Sequence, residues 1–158
     1  MKTSISKADG LTAAGFRFGI IAARFNAEIV SSLTAGAKQA LLEAGASESR
    51  IHVFQVPGSF EIPLACRYLI QTKKYDALVA LGAVIRGETY HFELVANESA
   101  RGVAQVMLES GVPIGLGIIT TENLVQARVR ADETGENKGR DAALAALEMI
   151  HFAKSCKE

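Results

Sequence analysis

The sequence predicts a three-layer α/β/α sandwich around a four-stranded parallel sheet. Three observations lead there. Short apolar runs alternate four times with longer amphipathic ones, and each apolar run is almost continuously hydrophobic. The chain also has the size of one ordinary domain, 158 residues with 49% hydrophobic and 22% charged. Unbroken hydrophobicity belongs to strands covered on both faces, and helices that connect parallel strands supply that cover. Residues 1–158 are therefore expected to fold as a single domain that buries roughly two thirds of its unfolded surface.

The first strand reads FRFGIIA at 16–22. A helix follows over NAEIVSSLTAGAKQALLEAG, where Ile29, Val30, Leu33, Ala37, Ala40, Leu41 and Ala44 recur at helical spacing, Asn26 is the expected cap and Gly45 the stop. IHVFQV at 51–56 is the second strand. The next helix opens at GSFEIP, with Ser59 as cap and Pro63 in the first turn, where amides have no partner to lose. ALVALG at 77–82 is the third strand, and a long helix runs from behind Thr89 to about Ser110. VPIGLGII at 112–119 is the fourth strand; a short helix starts behind Thr120 and Thr121, and the last helix fills 138–155 behind Asn137.

Charge narrows the partners. Seventeen Lys and Arg balance seventeen Asp and Glu, so no global field draws nucleic acid or an anionic membrane, and any anion must be held by a local site. The expected partner is small. Cys66 and Cys156 lie ninety positions apart in helical patterns and are expected to be free thiols in a reducing compartment. Without a signal-peptide pattern at its start or an apolar stretch of membrane-spanning length, the chain is expected to be cytoplasmic.

Several common chemistries lack their residues. GLG at 115–117 has no third glycine and no GK[ST] motif occurs, which argues against a nucleotide loop. His52, His91 and His151 are scattered without metal-ligand spacing, and no serine sits in a nucleophile elbow. A phosphoacceptor would place carboxylates behind the first strand, where this chain has Ala22-Ala23-Arg24.

Right-handed connections bring the loops after the carboxyl ends of parallel strands to one rim, where ligands of such sheets bind. That rim collects ARFN, VPGSFE, GAVIRGETYH and GIITTEN. In the third segment the Gly87-Glu88-Thr89 turn offers helix-start amides as a seat for phosphate, with His91 in the first turn able to accept or relay a proton. The same spacing equally fits a capping Thr89 and a packed His91. Phe25 can stack on a planar heterocycle or enter the core, and Glu61 can bind a polyol with Ser59 or serve its helix dipole. Arg130, Lys138 and Arg140 flank the polar stretch RADETGENKG, which most simply reads as a solvated loop.

Taken together, RFN at 24–26, VPGSFEIP at 56–63, KKYDALVALGAVIRGETYHFELV at 73–95, TTEN at 120–123 and NKG at 137–139 ahead of ALEMI resemble the lumazine synthase family. Each motif alone is weak, but their order and intervals are specific. The resemblance runs from about residue 15 to 152 and implies a flavodoxin-like sheet. It also implies the penultimate step of riboflavin biosynthesis, the condensation of 5-amino-6-ribitylaminouracil with 3,4-dihydroxy-2-butanone 4-phosphate.

By the same resemblance Phe25 stacks on the pyrimidine, Ser59, Phe60 and Glu61 hold the ribityl chain, and Ala83, Val84 and Ile85 line the heterocycle with backbone groups. Glu88 and Thr89 seat the substrate phosphate, His91 is the catalytic histidine, Arg130 completes the phosphate site from an adjacent subunit, and Lys138 lies near the same anion. No cofactor is implied. The assembly implied is a pentamer or its multiples, up to a 60-mer shell, with riboflavin synthase as a further partner. Residues 1–14 are the implied arm that pairs with a neighbouring subunit.

Departures from the family pattern are local. Leu116 stands where many members carry a phenylalanine against the heterocycle, Glu88 puts a carboxylate at the phosphate seat, Val129 replaces a glutamate, and DETGE replaces a Gly- and Lys-rich segment. They leave room for a rival reading as a non-catalytic lumazine or flavin binder, or as a shell-forming paralogue.

Overall fold

In the computed structural model, which describes residues 10–158, the four apolar runs become the strands of one sheet, two of them central. The central two are β1 (Phe18–Ala23) and β3 (Ala77–Ile85), flanked by β2 (Ile51–Val56) and β4 (Ile114–Thr121) in the order β2-β1-β3-β4, all parallel. Every residue of β1 is buried, whereas β2 and β4, at the edges, alternate between buried and more exposed positions.

Alternation of side chains across the pleat divides the core into two layers. Phe18, Ile20, Val79, Leu81 and Ile119 face α1 (Ala27–Glu43) and α5 (Lys138–Ser155), with α4 (Leu124–Arg130) adding Ala127. Ile21, Ala23, Leu78, Ala80 and Ile114 face α2 (Ile62–Gln71) and α3 (His91–Ser110) through Ile62, Cys66 and Val103. This is the expected three-layer sandwich, and the sheet order is that of a flavodoxin-like fold. The α1–α5 contact is close enough to demand glycine: a Cβ on Gly139 would stand 2.0 Å from the Leu33 carbonyl oxygen.

Element limits differ from the sequence reading where pairing overrides local pattern. β1 begins at Phe18 rather than 16, β3 continues past Gly82 to Ile85, and β4 runs from Ile114 through Thr120 and Thr121. The extension is cooperative, because Ala83, Val84 and Ile85 pair with Ile119, Thr120 and Thr121. The two threonines are thus strand residues, as β-branched side chains favour, and Asn123 caps α4 by accepting from the Gln126 amide at 2.9 Å. Asn137 caps α5 as expected, accepting from the Arg140 amide at 2.9 Å.

Most of the expected arm, residues 1–14, lies outside the described residues. Its last part rests on its own chain: Ala13 is buried and donates its amide to the Ala44 carbonyl at 2.9 Å, at the end of α1. Among the described residues no helix is long and apolar enough to cross a membrane.

Candidate active site

Because the four strands are parallel, their carboxyl ends open toward one rim. The first turn is pinned to the second strand by Arg24, whose amide donates to the Val56 carbonyl at 2.8 Å, and by Phe25, whose amide donates to the Pro57 carbonyl at 3.1 Å. With its backbone held, Phe25 still presents a ring that is 73% exposed, so the core reading of this residue does not hold. Asn26 adopts the left-handed conformation, φ 58°, and makes no side-chain cap. Its Nδ2 instead donates to the Ala83 carbonyl at 2.7 Å, tying the start of α1 to the end of β3.

The second turn places Ser59, Phe60 and Glu61 in a single 3-10 turn ahead of α2. Ser59 is buried and is not the helix cap; Glu61 occupies that position without a side-chain cap bond. A Cβ on Gly82 would stand 2.3 Å from Ser59 Oγ, so the glycine of β3 is what lets this serine lie against the strand end. Phe60 is 60% exposed and Glu61 is exposed beside it.

The third turn is the least filled. β3 ends at Ile85, and the Arg86 amide continues the ladder by donating to the Thr121 carbonyl at 2.9 Å. Residues Gly87 through His91 are all exposed. Tyr90, at the start of α3, gives no side-chain cap, and Thr89 Oγ1 accepts only a long bond, 3.4 Å, from the His91 amide. Thr89 is therefore a weak cap. His91 belongs to neither core layer, so of the two readings of this stretch the packed histidine is excluded.

Arg86 follows immediately after β3. Its Nε donates to Glu122 Oε2 at 2.6 Å, its Nη1 donates to Glu93, and its guanidinium lies 4.3 Å above the Phe92 ring. The pair shifts both partners: Arg86 holds the Glu93 carboxyl below the usual range, while Glu93 and Glu122 raise the guanidinium. Asn26 and Arg86 were missed as site builders by the sequence reading. The signal available for Arg86 was its place between a strand end and an acidic first helical turn.

The remaining sequence candidates stand apart from this rim. Leu116 is 51% exposed but lies mid-strand in β4, paired with Ala80, three residues before the Ile119–Ala83 pair. Arg130 Nη1 donates to the Gln126 carbonyl of its own helix at 3.1 Å, and Lys138 pairs with Asp141 at 2.9 Å. No hydrogen bond or ion pair joins either to the Thr89–His91 turn among the described residues. One chain thus assembles Phe25, Ser59 to Glu61, Ala83 to Ile85 and Glu88 to His91 along one rim, and bonds Arg130 and Lys138 to Gln126 and Asp141 rather than to the Thr89–His91 turn.

An open helix start after the third of four parallel strands, flanked by two exposed phenylalanines, fits a site for a planar substrate and an anion. Residues 15–154 match the profile of the 6,7-dimethyl-8-ribityllumazine synthase family. The chain belongs to this family. A 6,7-dimethyl-8-ribityllumazine synthase of Desulfatibacillum aliphaticivorans is 48% identical over 147 residues, which cover 93% of this chain and 95% of that protein. The family match spans the four strands and five α-helices of the described residues save the last residue of α5. It therefore includes every rim segment described above.

Proposed function

We infer that the rim around His91 is where this member of the lumazine synthase family carries out its reaction. That reaction condenses 5-amino-6-ribitylaminouracil with 3,4-dihydroxy-2-butanone 4-phosphate to give 6,7-dimethyl-8-ribityllumazine, phosphate and water. The observation that carries the assignment is the uncapped, exposed start of α3, which offers Thr89 and His91 together at the end of β3.

Chemistry assigns the roles. The exposed Phe25 ring is the surface on which the pyrimidine stacks, and the backbone of Ala83, Val84 and Ile85 borders it. Ser59, Phe60 and Glu61 hold the ribityl chain. The Glu88 and Thr89 segment receives the phosphate on amides at the positive end of the α3 dipole, with the Glu88 side chain turned to solvent. The amine attacks the ketone and water leaves to give an imine, phosphate is expelled to leave a second carbonyl, and the ribityl-bearing amine closes the ring on that carbonyl with loss of a second water. Each of these steps moves protons, and His91 beside the phosphate seat relays them. The sequence involves no change of redox state and requires no cofactor. Holding two reactants face to face supplies a large part of the acceleration.

Within one chain Arg130 and Lys138 are engaged with Gln126 and Asp141, and Leu116 lies exposed on an edge strand. These facts support a site finished by a neighbouring subunit, which brings Arg130 to the phosphate, Lys138 near the same anion and Leu116 to the heterocycle. The assembly is a pentamer, or multiples of it up to a 60-mer shell, located in the cytoplasm, with riboflavin synthase as its partner enzyme.

Two measurements test the reading. Purified protein given both substrates should develop lumazine absorbance with matching phosphate release; binding without turnover would instead favour a non-catalytic binder. Particles co-assembled from His91→Ala and Arg130→Ala chains should regain activity that neither variant has alone. In a random mixture about a quarter of the interfaces would combine an intact histidine with an intact arginine. Verified mixed particles that stay inactive would place the whole site within one chain.

A further inference from the structure

The turn that carries Thr89 and His91 has little to hold it from within. No atom lies within 4 Å of a Cβ built on Gly87, residues 87–91 are exposed, and the one side-chain bond inside the segment is the long Thr89–His91 contact. A phosphate seat nevertheless requires its amides to be aimed closely, since a displacement of about 1 Å can cost a hundredfold in rate. Something outside the turn must fix it.

Arg86 touches the elements on both sides of the turn. Its amide extends the β3–β4 ladder to Thr121, its Nε bonds Glu122 at the entrance to α4, its Nη1 bonds Glu93 in the first turn of α3, and its guanidinium covers the Phe92 ring. We propose that Arg86 is a positioning residue: by clamping Glu93 and Glu122 in one plane it holds the turn at residues 87–90, and with it Thr89 and His91, in the geometry that receives the substrate phosphate. The inference rests on the reading of the rim as the active site.

Two simpler roles fit less well. As a direct phosphate ligand, Arg86 would need free charge, but two carboxylates already neutralise it and both its Nε and Nη1 donors are committed. As a stability element it would contribute little, because ion pairs between partly exposed groups are weak. Geometry is what it can provide: a planar fork that reaches two carboxylates while stacking on an aromatic face is beyond the single ammonium of lysine. The clamp also reaches α4, since the Glu122 amide donates to Gln126 Oε1 at 2.9 Å and the Gln126 carbonyl receives Arg130.

The test uses the full chain in its native assembly, with Arg86→Gln, Arg86→Lys, Glu93→Gln and the Arg86→Gln/Glu93→Gln pair. Arg86→Gln should raise KM for the ketone phosphate about tenfold and lower kcat by a similar factor, while KM for the aminouracil stays within about twofold. The inhibition constant of inorganic phosphate should rise in parallel. Glu93→Gln should act in the same direction but less, the double variant should be no worse than Arg86→Gln, and Arg86→Lys should recover only part of the loss. Unchanged constants, or equal rises in both KM values with a lowered melting temperature, would overturn the proposal. A native protein without turnover would sink the active-site reading instead. Calorimetry with inorganic phosphate then decides the clamp: weaker binding by Arg86→Gln supports it, and equal binding, or none to the native chain, overturns it.

Discussion

Two helices of this chain begin in opposite ways. At the start of α5 the protein supplies a side-chain cap: buried Asn137 accepts from the Arg140 amide and donates to the carbonyls of Ser32 and Ala131 at 3.0 and 2.9 Å. Gly139 then packs directly on α1. At the start of α3 Gly87 has open space, Tyr90 gives no side-chain cap, Tyr90 itself is 67% exposed, and His91 faces solvent. Helix-start amides left without protein partners are a place for an anion, and their dipole favours one. Side chains are committed to folding at the first of these starts, and backbone is left open for chemistry at the second.

The largest effect on stability should come from one methyl group added at the sealed helix start, and almost none from the same group added at the open one. Gly139→Ala forces a Cβ against the Leu33 carbonyl, a backbone atom that cannot swing aside, and should cost about 3 kcal/mol or more of stability in urea unfolding. Gly87→Ala meets no neighbour and should change stability by less than about 1 kcal/mol in either direction. Equal losses at the two glycines would remove the distinction between a sealed and an open helix start.

Next come the side chains. His91→Ala should lower kcat by about a hundredfold to ten thousandfold while shifting the melting temperature by no more than about 2 °C, since the ring contributes to neither core layer. Asn137→Ala removes one cap bond and strips two carbonyls of a buried donor, for an expected loss of about 1–3 kcal/mol. A His91→Ala enzyme with an unchanged rate constant would take the proton-relay role from that residue.

Local chemistry made the sealed end legible in the sequence and left part of the open end obscure. Asn137 can be read as a cap because its acceptor role is met three residues on. Asn26 cannot be read in that way, because its partner is the Ala83 carbonyl, 57 positions distant. Thr120 and Thr121 look like caps until β3 is seen to extend to Ile85 and draw them into the ladder. Short, nearly continuous apolar runs located all four strands, and the rim motifs located Phe25, Ser59 to Glu61 and Glu88 to His91 at the carboxyl ends of those strands. The partners of Arg86 depend on where β4 and α3 deliver their carboxylates, which no local pattern encodes.

The two thiols give the smallest and most local measure of the same contrast. Burial in the layer between the sheet and α2 pushes the Cys66 thiol up to about 12, whereas Cys156 is exposed just past α5. At pH 8 a thiol of that pKa is ionised in about one part in ten thousand, so a thiol reagent should titrate one group per native chain and reach the second only on unfolding. The sign of the linkage follows: the neutral buried thiol stabilises the fold fully below its ordinary value of 9.0, and that contribution falls as pH rises toward about 12. Because Cys66 shares its layer with Val103 of α3, it also reports whether changes at the open end reach the interior. His91→Ala and Gly87→Ala should leave it protected. A second fast thiol in either variant would mean that the exposed start of α3 is part of what holds the core shut.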